Sequence, residues 1–236
     1  MPRDVIDVAD FFAFEWSTGL IAACDPNFPT SLYAFDGAEL DLDIDAAFFG
    51  FVHEGEAQIE TASGTFTLTA GMYFSANERL RVRGGKGIVI ARLGHRAFFT
   101  IGGPVEQKGR LKYIDGCTDS LLIAPIKLGD PCLNLLYFPP GIDQTAHTHP
   151  SDRIGVVHSG RGVCVTPNEV IPLEPGTMFR IPLEGNHKFR TTDSEMRVIA
   201  YHPDSDFGAT DIDHPMINRT MVNGVSASEL DAIRTQ

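Results

Sequence analysis

Residues 141–153 read GIDQTAHTHPSDR, and the stretch PLEGNH follows at residues 182–187. Alternate side chains of an extended strand lie on the same face, so His147 and His149 can direct their imidazoles at one cation. A third histidine, His187, on a separate strand after a Pro/Gly turn, would complete a facial set and leave coordination positions open for a substrate. The two stretches therefore predict a metal site formed by His147, His149 and His187.

Composition and charge narrow the classes of partner. The chain has 236 residues, of which 43% are hydrophobic and 21% are charged, as is typical of a globular protein with one large or two small domains. The formal net charge of -12 argues against nucleic acid or an anionic membrane surface. No run approaches the roughly 18 apolar residues that a membrane span needs. We therefore expect neither a nucleic acid nor a membrane as a partner.

The amino terminus and the cysteines bear on the compartment. Residues 1–7, MPRDVID, carry acidic groups early and lack the apolar core of a signal peptide. The cysteines are dispersed without a CxxC pair, at Cys24, Cys117, Cys132 and Cys164. This pattern is neither a disulfide framework nor a zinc ribbon. We expect free thiols and a cytoplasmic protein.

An internal repeat divides the chain. An offset of 105 residues superposes FGFVHEG at residues 49–55 on IGVVHSG at residues 154–160, and it carries Phe74 to Phe179. The repeat predicts two units followed by a tail, with bounds at residues 1–108, 109–206 and 207–236.

Each unit has the pattern of short strands. Period-two alternation, as in ELDLDID at residues 39–45, is interrupted at short intervals by Gly, Pro, Asn and Asp. Helical signal is confined mainly to the end, where Ser226 and Glu229 have capping-box spacing and predict a short helix near residues 226–234. Many short strands around an inward-facing metal site predict an all-β fold of two tandem jelly-roll barrels.

The motifs resemble those of the cupin family. The first family motif, G-x5-H-x-H-x3-4-E-x6-G, is matched at Gly141, His147, His149 and Gly160. The second, G-x5-P-x-G-x2-H-x3-N, is matched at Gly176, Pro182 and His187, with Gly185 displaced by one residue and Thr191 in place of Asn. The resemblance implies a two-domain bicupin whose second barrel holds a divalent transition metal, Fe, Ni, Zn or Mn, on the three histidines.

The repeat also predicts what replaces the site in the first barrel. The same offset carries the ligand positions of the motif to Leu42, Ile44, Phe48 and Val82, all of which are apolar and unable to bind a cation. We expect these side chains to be buried together in a barrel without a metal. Such a barrel would support the second one or form a closed face for assembly, for example as a homodimer.

Arg153 stands where the family normally has a glutamate as the fourth ligand. Arginine stays protonated and has no lone pair for a metal. In one interpretation its guanidinium faces the cavity and binds a substrate carboxylate or enolate beside the metal. In the other, Arg153 turns outward and pairs with Asp152 or another acid, or Asp152 itself turns inward as a ligand. A one-residue change of register in the turn would exchange which side chain faces inward.

The remaining aromatic residues and histidines have weaker patterns. Four aromatic residues are candidates to line the pocket: Tyr137, Phe138, Phe189 and Tyr201. The candidates for catalysis are Arg153 and the two tyrosines. Counting by two along the strand directs His158 outward, as it does its repeat partner His53. Four histidines lack a partner at ligand spacing and are expected to be exposed or hydrogen-bonded: His53, His95, His202 and His214.

Three functions fit these observations. A metal-dependent oxygenase would act on a small organic acid, diketone or phenolic compound, because three neutral imidazoles leave up to three open positions on the metal. An isomerase or lyase would use the same cation to stabilise an enolate, with a tyrosine as acid or base. A binding module without catalysis would hold a small metabolite, as the missing glutamate favours. The expected partner is in each case a small molecule, and Arg153 favours an anionic one.

Overall fold

The computed structural model describes residues 9–25, 27–205 and 220–233. Regular structure in these ranges is β-strand, apart from three short 3₁₀ turns at Ile114–Gly116, Ala227–Glu229 and Asp231–Ile233. The all-β prediction is confirmed. No helix in the described ranges has the length and hydrophobicity to cross a membrane.

Eight of the first nine strands form one sheet. The nine strands are β1 (Phe12–Phe14), β2 (Gly19–Cys24), β3 (Thr30–Asp36), β4 (Leu40–Glu54), β5 (Glu56–Thr61), β6 (Gly64–Thr69), β7 (Tyr73–Arg83), β8 (Lys86–Leu93) and β9 (Thr100–Gly102). The sheet contains β2 to β9. It runs in the order β2-β3-β8-β4-β7-β5-β6, and β9 pairs with a different part of β7 from the part that pairs with β5. We call β2 to β8 the first unit.

The next nine strands form the second unit. They are β10 (Leu111–Lys112), β11 (Thr118–Ile123), β12 (Cys132–Phe138), β13 (Arg153–Gly160), β14 (Gly162–Val165), β15 (Val170–Leu173), β16 (Met178–Ile181), β17 (Lys188–Arg190) and β18 (Met196–His202). Their larger sheet runs β1-β16-β13-β18-β12-β11-β10, and a smaller sheet runs β15-β14-β17.

The two units have the same strand order in the part that carries the repeat. The order β2-β3-β8-β4-β7 in the first unit corresponds to β11-β12-β18-β13-β16 in the second. The strands β4 and β13 contain the sequences related by the offset of 105 residues. The repeat of sequence is therefore also a repeat of structure.

One short strand crosses the predicted boundary at residue 108. Strand β1 pairs with β16 of the second unit, with Phe14 opposite Met178, although it precedes the whole first unit. Strand β9 pairs with β7 of the first unit, with Gly102 opposite Tyr73, and so stays on its own side of that boundary. Tyr73 and Met178 are equivalent in the repeat, so the two short strands cover equivalent edges. Each short strand covers an edge that would otherwise leave backbone groups unpaired.

The buried apolar side chains of the described residues form three clusters. One lies inside the first unit, one inside the second, and one between the units, where Phe49 and Phe51 of β4 meet Ile199 and Tyr201 of β18. Because successive strand residues point to opposite faces, β4 and β18 each supply one cluster with one face and the shared cluster with the other. A fully buried side chain of this size contributes about 1.5–3 kcal/mol.

The apolar residues at the ligand-equivalent positions lie in the interior of the first unit. Leu42, Phe48 and Val82 are buried in its cluster, and Ile44 packs against that cluster while partly exposed. Their common burial agrees with the alignment of the two units at an offset of 105 residues.

The two outward-pointing histidines meet between the units. The ring centroids of His53 and His158 lie 6.2 Å apart, and Trp16 stacks on His53 at 5.9 Å. His53 is buried, and its Nε2 lies 3.3 Å from the Oε1 of Glu54, so of the two expectations for this residue exposure is wrong and a polar partner is present. The outward direction holds for both rings, but the face they point to is covered by the other unit.

The end of the chain corrects the predicted helix. Strands β19 (Met221–Val222) and β20 (Val225–Ser226) form a hairpin whose turn residues, Asn223 and Gly224, have φ of 51° and 81°. An Asn-Gly pair suits this turn because both positions need positive φ. Two 3₁₀ turns follow in place of one helix, and the Oγ of Ser226 accepts from the Ser228 backbone N–H at 3.3 Å. Most of the predicted tail, with His214 and the stretch 206–219, lies outside the described residues.

Candidate metal centre and anion pocket

Three histidines converge at one end of the second unit. His147 and His149 lie in the connection between β12 and β13, and His187 directly precedes β17. The backbones of His147 and His187 bond to each other in both directions, with N–H to carbonyl oxygen distances of 2.9 and 3.0 Å. One potential ligand atom from each of the three rings lies within 4.8 Å of the others. The structure thus brings together the three residues that the motifs predict, although none of them lies within a regular strand.

Hydrogen bonds orient two of the three rings. The Nδ1 of His147 lies 2.8 Å from the carbonyl oxygen of Thr145, and the Nδ1 of His187 lies 3.0 Å from that of Gly185. A carbonyl oxygen only accepts, so Nδ1 carries the proton in both rings. The Nε2 lone pairs are then directed to the centre of the cluster. Backbone carbonyls of this kind commonly fix the tautomer of metal-binding histidines.

Burial disfavours the charged form of two of the three imidazoles. Burial, together with the charges of Arg153 and the other two rings, lowers the pKa of His149 to about 2. Burial likewise lowers the pKa of His187 to about 4, against the raising effect of its bond to Gly185. Neutral imidazole is the form that binds a metal. Three imidazole nitrogen donors at this separation fit one divalent transition metal ion.

The histidines line a small cavity of about 20 Å³ inside the second unit. Apolar side chains form much of its wall: Leu136, Phe179, Ile181, Phe189 and Ala200. The other lining residues are polar: Tyr113, Gln144, Arg153 and His202. No carboxylate is among the described lining residues, and Arg153 is the one permanently charged group in the wall. The cavity therefore favours an anion.

Arg153 faces the cavity. Its Nη1 donates to the Oγ of Ser151 at 2.6 Å and to the carbonyl oxygens of Ser151 and Asp152 at 3.1 Å each. These bonds hold the guanidinium close to the backbone of Ser151 and Asp152, the two residues before it. Its positive charge lowers the pKa of His149 and of His187. Of the two interpretations of Arg153, the structure has the one with the guanidinium beside the three histidines.

Asp152 points the opposite way. Its side chain is buried, and its Oδ2 accepts from the Nε of Arg180 at 2.6 Å while its Oδ1 accepts from the backbone N–H of Leu183 at 2.8 Å. Both oxygens are thus engaged away from the cavity. The alternatives in which Asp152 pairs with an outward Arg153, or turns inward as a metal ligand, are wrong in this structure.

Comparison with known proteins agrees with this geometry. Residues 134–202 match the family model of the cupin domain. The matched residues run from β12 to the end of β18 in the second unit. No curated protein matches the sequence closely enough to count as a relative.

Several solved structures share the fold. A cupin 2 conserved barrel domain protein from Leptotrichia buccalis has a TM-score of 0.56 at 14% identity, covering 82% of this chain and 88% of its own. Salicylate 1,2-dioxygenase from Pseudoaminobacter salicylatoxidans, in complex with gentisate, has a TM-score of 0.55 at 10% identity, covering 75% and 68%. Oxalate decarboxylase from Bacillus subtilis, a protein with Mn(II) centres, has a TM-score of 0.52 at 10% identity, covering 85% and 79%. At these identities the likeness shows the fold alone.

Two tyrosines that are candidates for catalysis lie outside the cavity of the second unit. Tyr137 donates from its hydroxyl to the Oε2 of Glu195 at 3.2 Å on the outer face of β12. Tyr201 is fully buried in the cluster between the units, with its ring 5.1 Å from that of Phe49. Neither tyrosine lines the cavity, and the reason is the same for both. Their neighbours Leu136 and Ala200 take the inward face, so the next residue on each strand points away.

Of the other two aromatic candidates, Phe189 lies where the sequence predicted and Phe138 does not; one histidine also differs from its prediction. Phe189 lines the cavity, whereas Phe138 is buried in the second unit's core without lining it. His202, expected to be exposed or merely hydrogen-bonded, also lines the cavity, and burial with the charge of Arg153 holds its pKa well below the usual range. A count by two from Ala200 along β18 would have found it.

Tyr113 and Gln144 are further lining residues that the sequence did not indicate. Tyr113 comes from the connection between β10 and β11, and burial raises its pKa to about 12, so it is a neutral phenol. Gln144 is buried and bridges two parts of the wall. Its Nε2 donates to the Sγ of Cys117 at 3.6 Å, and its Oε1 accepts from the Phe189 backbone N–H at 3.1 Å. Both residues reach the site from connections that carry no period, which left no local signal.

Proposed function

We propose that this protein is a metal-dependent enzyme that binds a small organic acid in the second unit and acts on it as a dioxygenase. The observation that carries the proposal is the pairing of three imidazoles with one guanidinium in a cavity wall whose described residues include no carboxylate. A site of this composition binds a divalent cation and an anionic ligand together.

His147, His149 and His187 would hold the metal, and Arg153 would bind the substrate carboxylate. The bound ion would supply Lewis acidity and, if it is redox-active, reactivity towards dioxygen. Arg153 is already held in place by its turn, so little side-chain freedom is lost when it binds an anion. The neutral phenol of Tyr113 offers a hydrogen-bond donor beside the guanidinium. The apolar wall, including Phe179 and Phe189, excludes water from the ligand.

We further propose that the chain is a bicupin with a single metal site. The shared strand order and the apolar residues at positions 42, 44, 48 and 82 support this division. The proposed domains are residues 1–108 and 109–206 followed by a tail, with β1 of the first range paired to β16 of the second. Two of the fold neighbours support the substrate class. One was solved with gentisate, and the other is a decarboxylase of oxalate with Mn(II) centres, so both handle small carboxylates.

A second candidate is an isomerase or lyase that stabilises an enolate. Tyr113 is the observation in its favour, because a protonated phenol in the cavity can donate a proton to a developing oxyanion or carbanion. The substrate class is the same in both cases, so the candidates differ in reaction and not in what binds.

Reconstitution separates these functions. The protein would be loaded anaerobically with Fe²⁺ or Mn²⁺, its metal content measured, and oxygen consumption followed with hydroxybenzoates, 2-oxo acids and diketones. Oxygen uptake that depends on both metal and substrate supports the dioxygenase. Exchange of solvent deuterium into the substrate without oxygen uptake supports the isomerase or lyase. Binding without turnover indicates a metabolite-binding module, and failure to bind metal overturns the whole proposal.

A variant pair controls this experiment. His187→Ala removes a buried ligand, whereas His95→Ala removes a histidine that lies outside the cavity. Activity that survives in the first variant would place the chemistry elsewhere. Activity lost in the second would indicate a general effect of losing an imidazole.

A further inference from the structure

We propose that Asp25, a residue of the first unit, is a positioning residue for Arg153 in the second unit. The inference rests on the proposed function, in which Arg153 binds the substrate carboxylate. It gives the first unit a role in substrate binding although that unit lacks ligand residues at the equivalent positions.

Asp25 is placed for this role by a strained and buried turn. It follows β2, is 2% exposed, and has φ of 50°, a left-handed conformation that few residues other than glycine adopt. Its Oδ1 accepts from the backbone N–H groups of Asn27 and Phe28 at 3.0 Å each, which forms a local turn. Its Oδ2 is directed to the other unit and accepts from the Asp152 backbone N–H at 3.1 Å.

The bond to Asp152 acts on the turn that aims Arg153. Residues 150–153 lead from the histidine pair into β13, and Nη1 of Arg153 bonds to the carbonyl oxygens of Ser151 and Asp152. The position of the guanidinium therefore follows the path of this backbone. Asp25 anchors that path from the first unit through a buried hydrogen bond.

The turn keeps other anchors when Asp25 is changed. The Asp152 side chain still bonds to Arg180 and to the Leu183 backbone N–H, both within the second unit. His147 and His187 still hold each other through their backbones. A variant at Asp25 should therefore disturb the aim of Arg153 without removing the metal ligands from their places.

Asp25→Asn separates the two sides of the carboxylate. Two backbone donors face Oδ1 and one faces Oδ2, so the amide oxygen of asparagine should stay with the local turn and direct its NH₂ group at the Asp152 N–H. Two donors then face each other, and the bond between the units is lost. Volume and local turn are kept.

The experiment uses full-length protein loaded with Mn²⁺ and freed of excess metal, with acetate as the probe. Paramagnetic broadening of the acetate methyl signal, titrated with acetate, gives the dissociation constant, and elemental analysis with Mn²⁺ titration gives metal content and affinity. We expect Asp25→Asn to weaken acetate binding about fivefold, the scale of one hydrogen bond, with Mn²⁺ affinity unchanged within about twofold. Trp16→Phe, which removes a different bond between the units, from the indole Nε1 to the Gly176 carbonyl oxygen at 2.8 Å, should leave acetate affinity unchanged.

Arg153→Gln and the double variant decide how Asp25 acts. If Asp25 acts through Arg153, the double variant binds acetate as weakly as Arg153→Gln alone. Additive losses would overturn the positioning role, and so would an unchanged affinity in Asp25→Asn while Arg153→Gln weakens binding. An unchanged affinity in Arg153→Gln would instead overturn the proposed function.

A second variant covers a failure to fold. Asp25→Ser keeps a hydroxyl acceptor for the local turn but is too short to reach Asp152. It should show the same loss of acetate affinity with Mn²⁺ retained. If both variants unfold or lose Mn²⁺, Asp25 is a structural residue of the interface and the positioning role is wrong.

Discussion

In the first unit, Leu42 and Val82 are buried in a continuous apolar cluster; in the second unit, the positions related to them by the repeat carry His147 and His187 on the wall of a cavity. The strand order around the two places is the same. The comparison shows that this backbone accommodates either an apolar core or a polar site, and that a few inward side chains decide which. The faces that the two units turn towards each other are more alike, since both carry a histidine at the same repeat position. These histidines, His53 and His158, meet in the interface between the units.

The largest expected effect comes from placing an imidazole in the first unit. Val82→His puts a polar ring at a position with no exposed surface, inside an apolar cluster. We expect the free energy of unfolding to fall by about 3 kcal/mol, because the ring nitrogens find no partners there. Urea unfolding monitored by circular dichroism measures the change. A stable variant that binds Mn²⁺ at the first unit would show that its interior is a latent site and not a core.

The reverse change in the second unit removes a ligand. We expect His187→Val to weaken Mn²⁺ binding by at least about 100-fold, or about 2.7 kcal/mol, because one of three donors is lost. The metal-free protein should keep its stability within about 1 kcal/mol, since a valine replaces a buried imidazole and leaves only the Gly185 carbonyl without its bond. Retention of one equivalent of Mn²⁺ would place the metal elsewhere.

Arg153 is a smaller but more specific difference between the units, because Phe48 occupies the equivalent position. We expect Arg153→Gln to weaken acetate binding to the Mn²⁺ form about tenfold, or about 1.4 kcal/mol, with metal content unchanged. Calorimetric titration measures the affinity, and Arg96→Gln, which removes an arginine outside the cavity, is the matched control. Equal affinities in wild type and Arg153→Gln would contradict an anion-binding role.

The sequence allowed these differences to be predicted where they follow a local period or motif. The three histidines stand at motif spacings, and the apolar residues at positions 42 and 82 follow from the offset of the repeat. Counting by two along β13 predicts the outward direction of His158, whereas Tyr137 and Tyr201 were candidates without an assigned face, and both point away from the cavity. Strand alternation is reliable only once one inward residue is known.

Contacts between distant segments could not be predicted in this way. Tyr113 enters the cavity from an irregular connection, and Asp25 reaches Asp152 across 127 positions of sequence. The orientation of Arg153 depended on the register of a turn, which several hydrogen bonds decide together. The pairing of β1 with the second unit had no signal either, because a strand of three residues gives no period to read.

The smallest expected effect tests what the units have in common, the histidine contact between them. Burial, together with the charges of Arg197 and His53, lowers the pKa of His158 to about 4 in the folded protein. In the unfolded chain a histidine titrates near 6.5. The folded pKa is below the unfolded one, so this contribution to stability is complete above pH 6.5 and is lost as the pH falls towards 4. His158 is partly exposed, so we expect its share of the loss between pH 7.5 and 5.0 to be about 1 kcal/mol, less than the full shift implies.

His158→Gln should therefore lose about 1 kcal/mol less unfolding free energy than wild type over this interval, measured by urea unfolding of the metal-free protein at both pH values. Comparing each protein with itself cancels the packing that the variant loses, and the histidines of the metal site contribute equally to both. An identical pH dependence in the two proteins would show that the contact between the units does not keep His158 neutral.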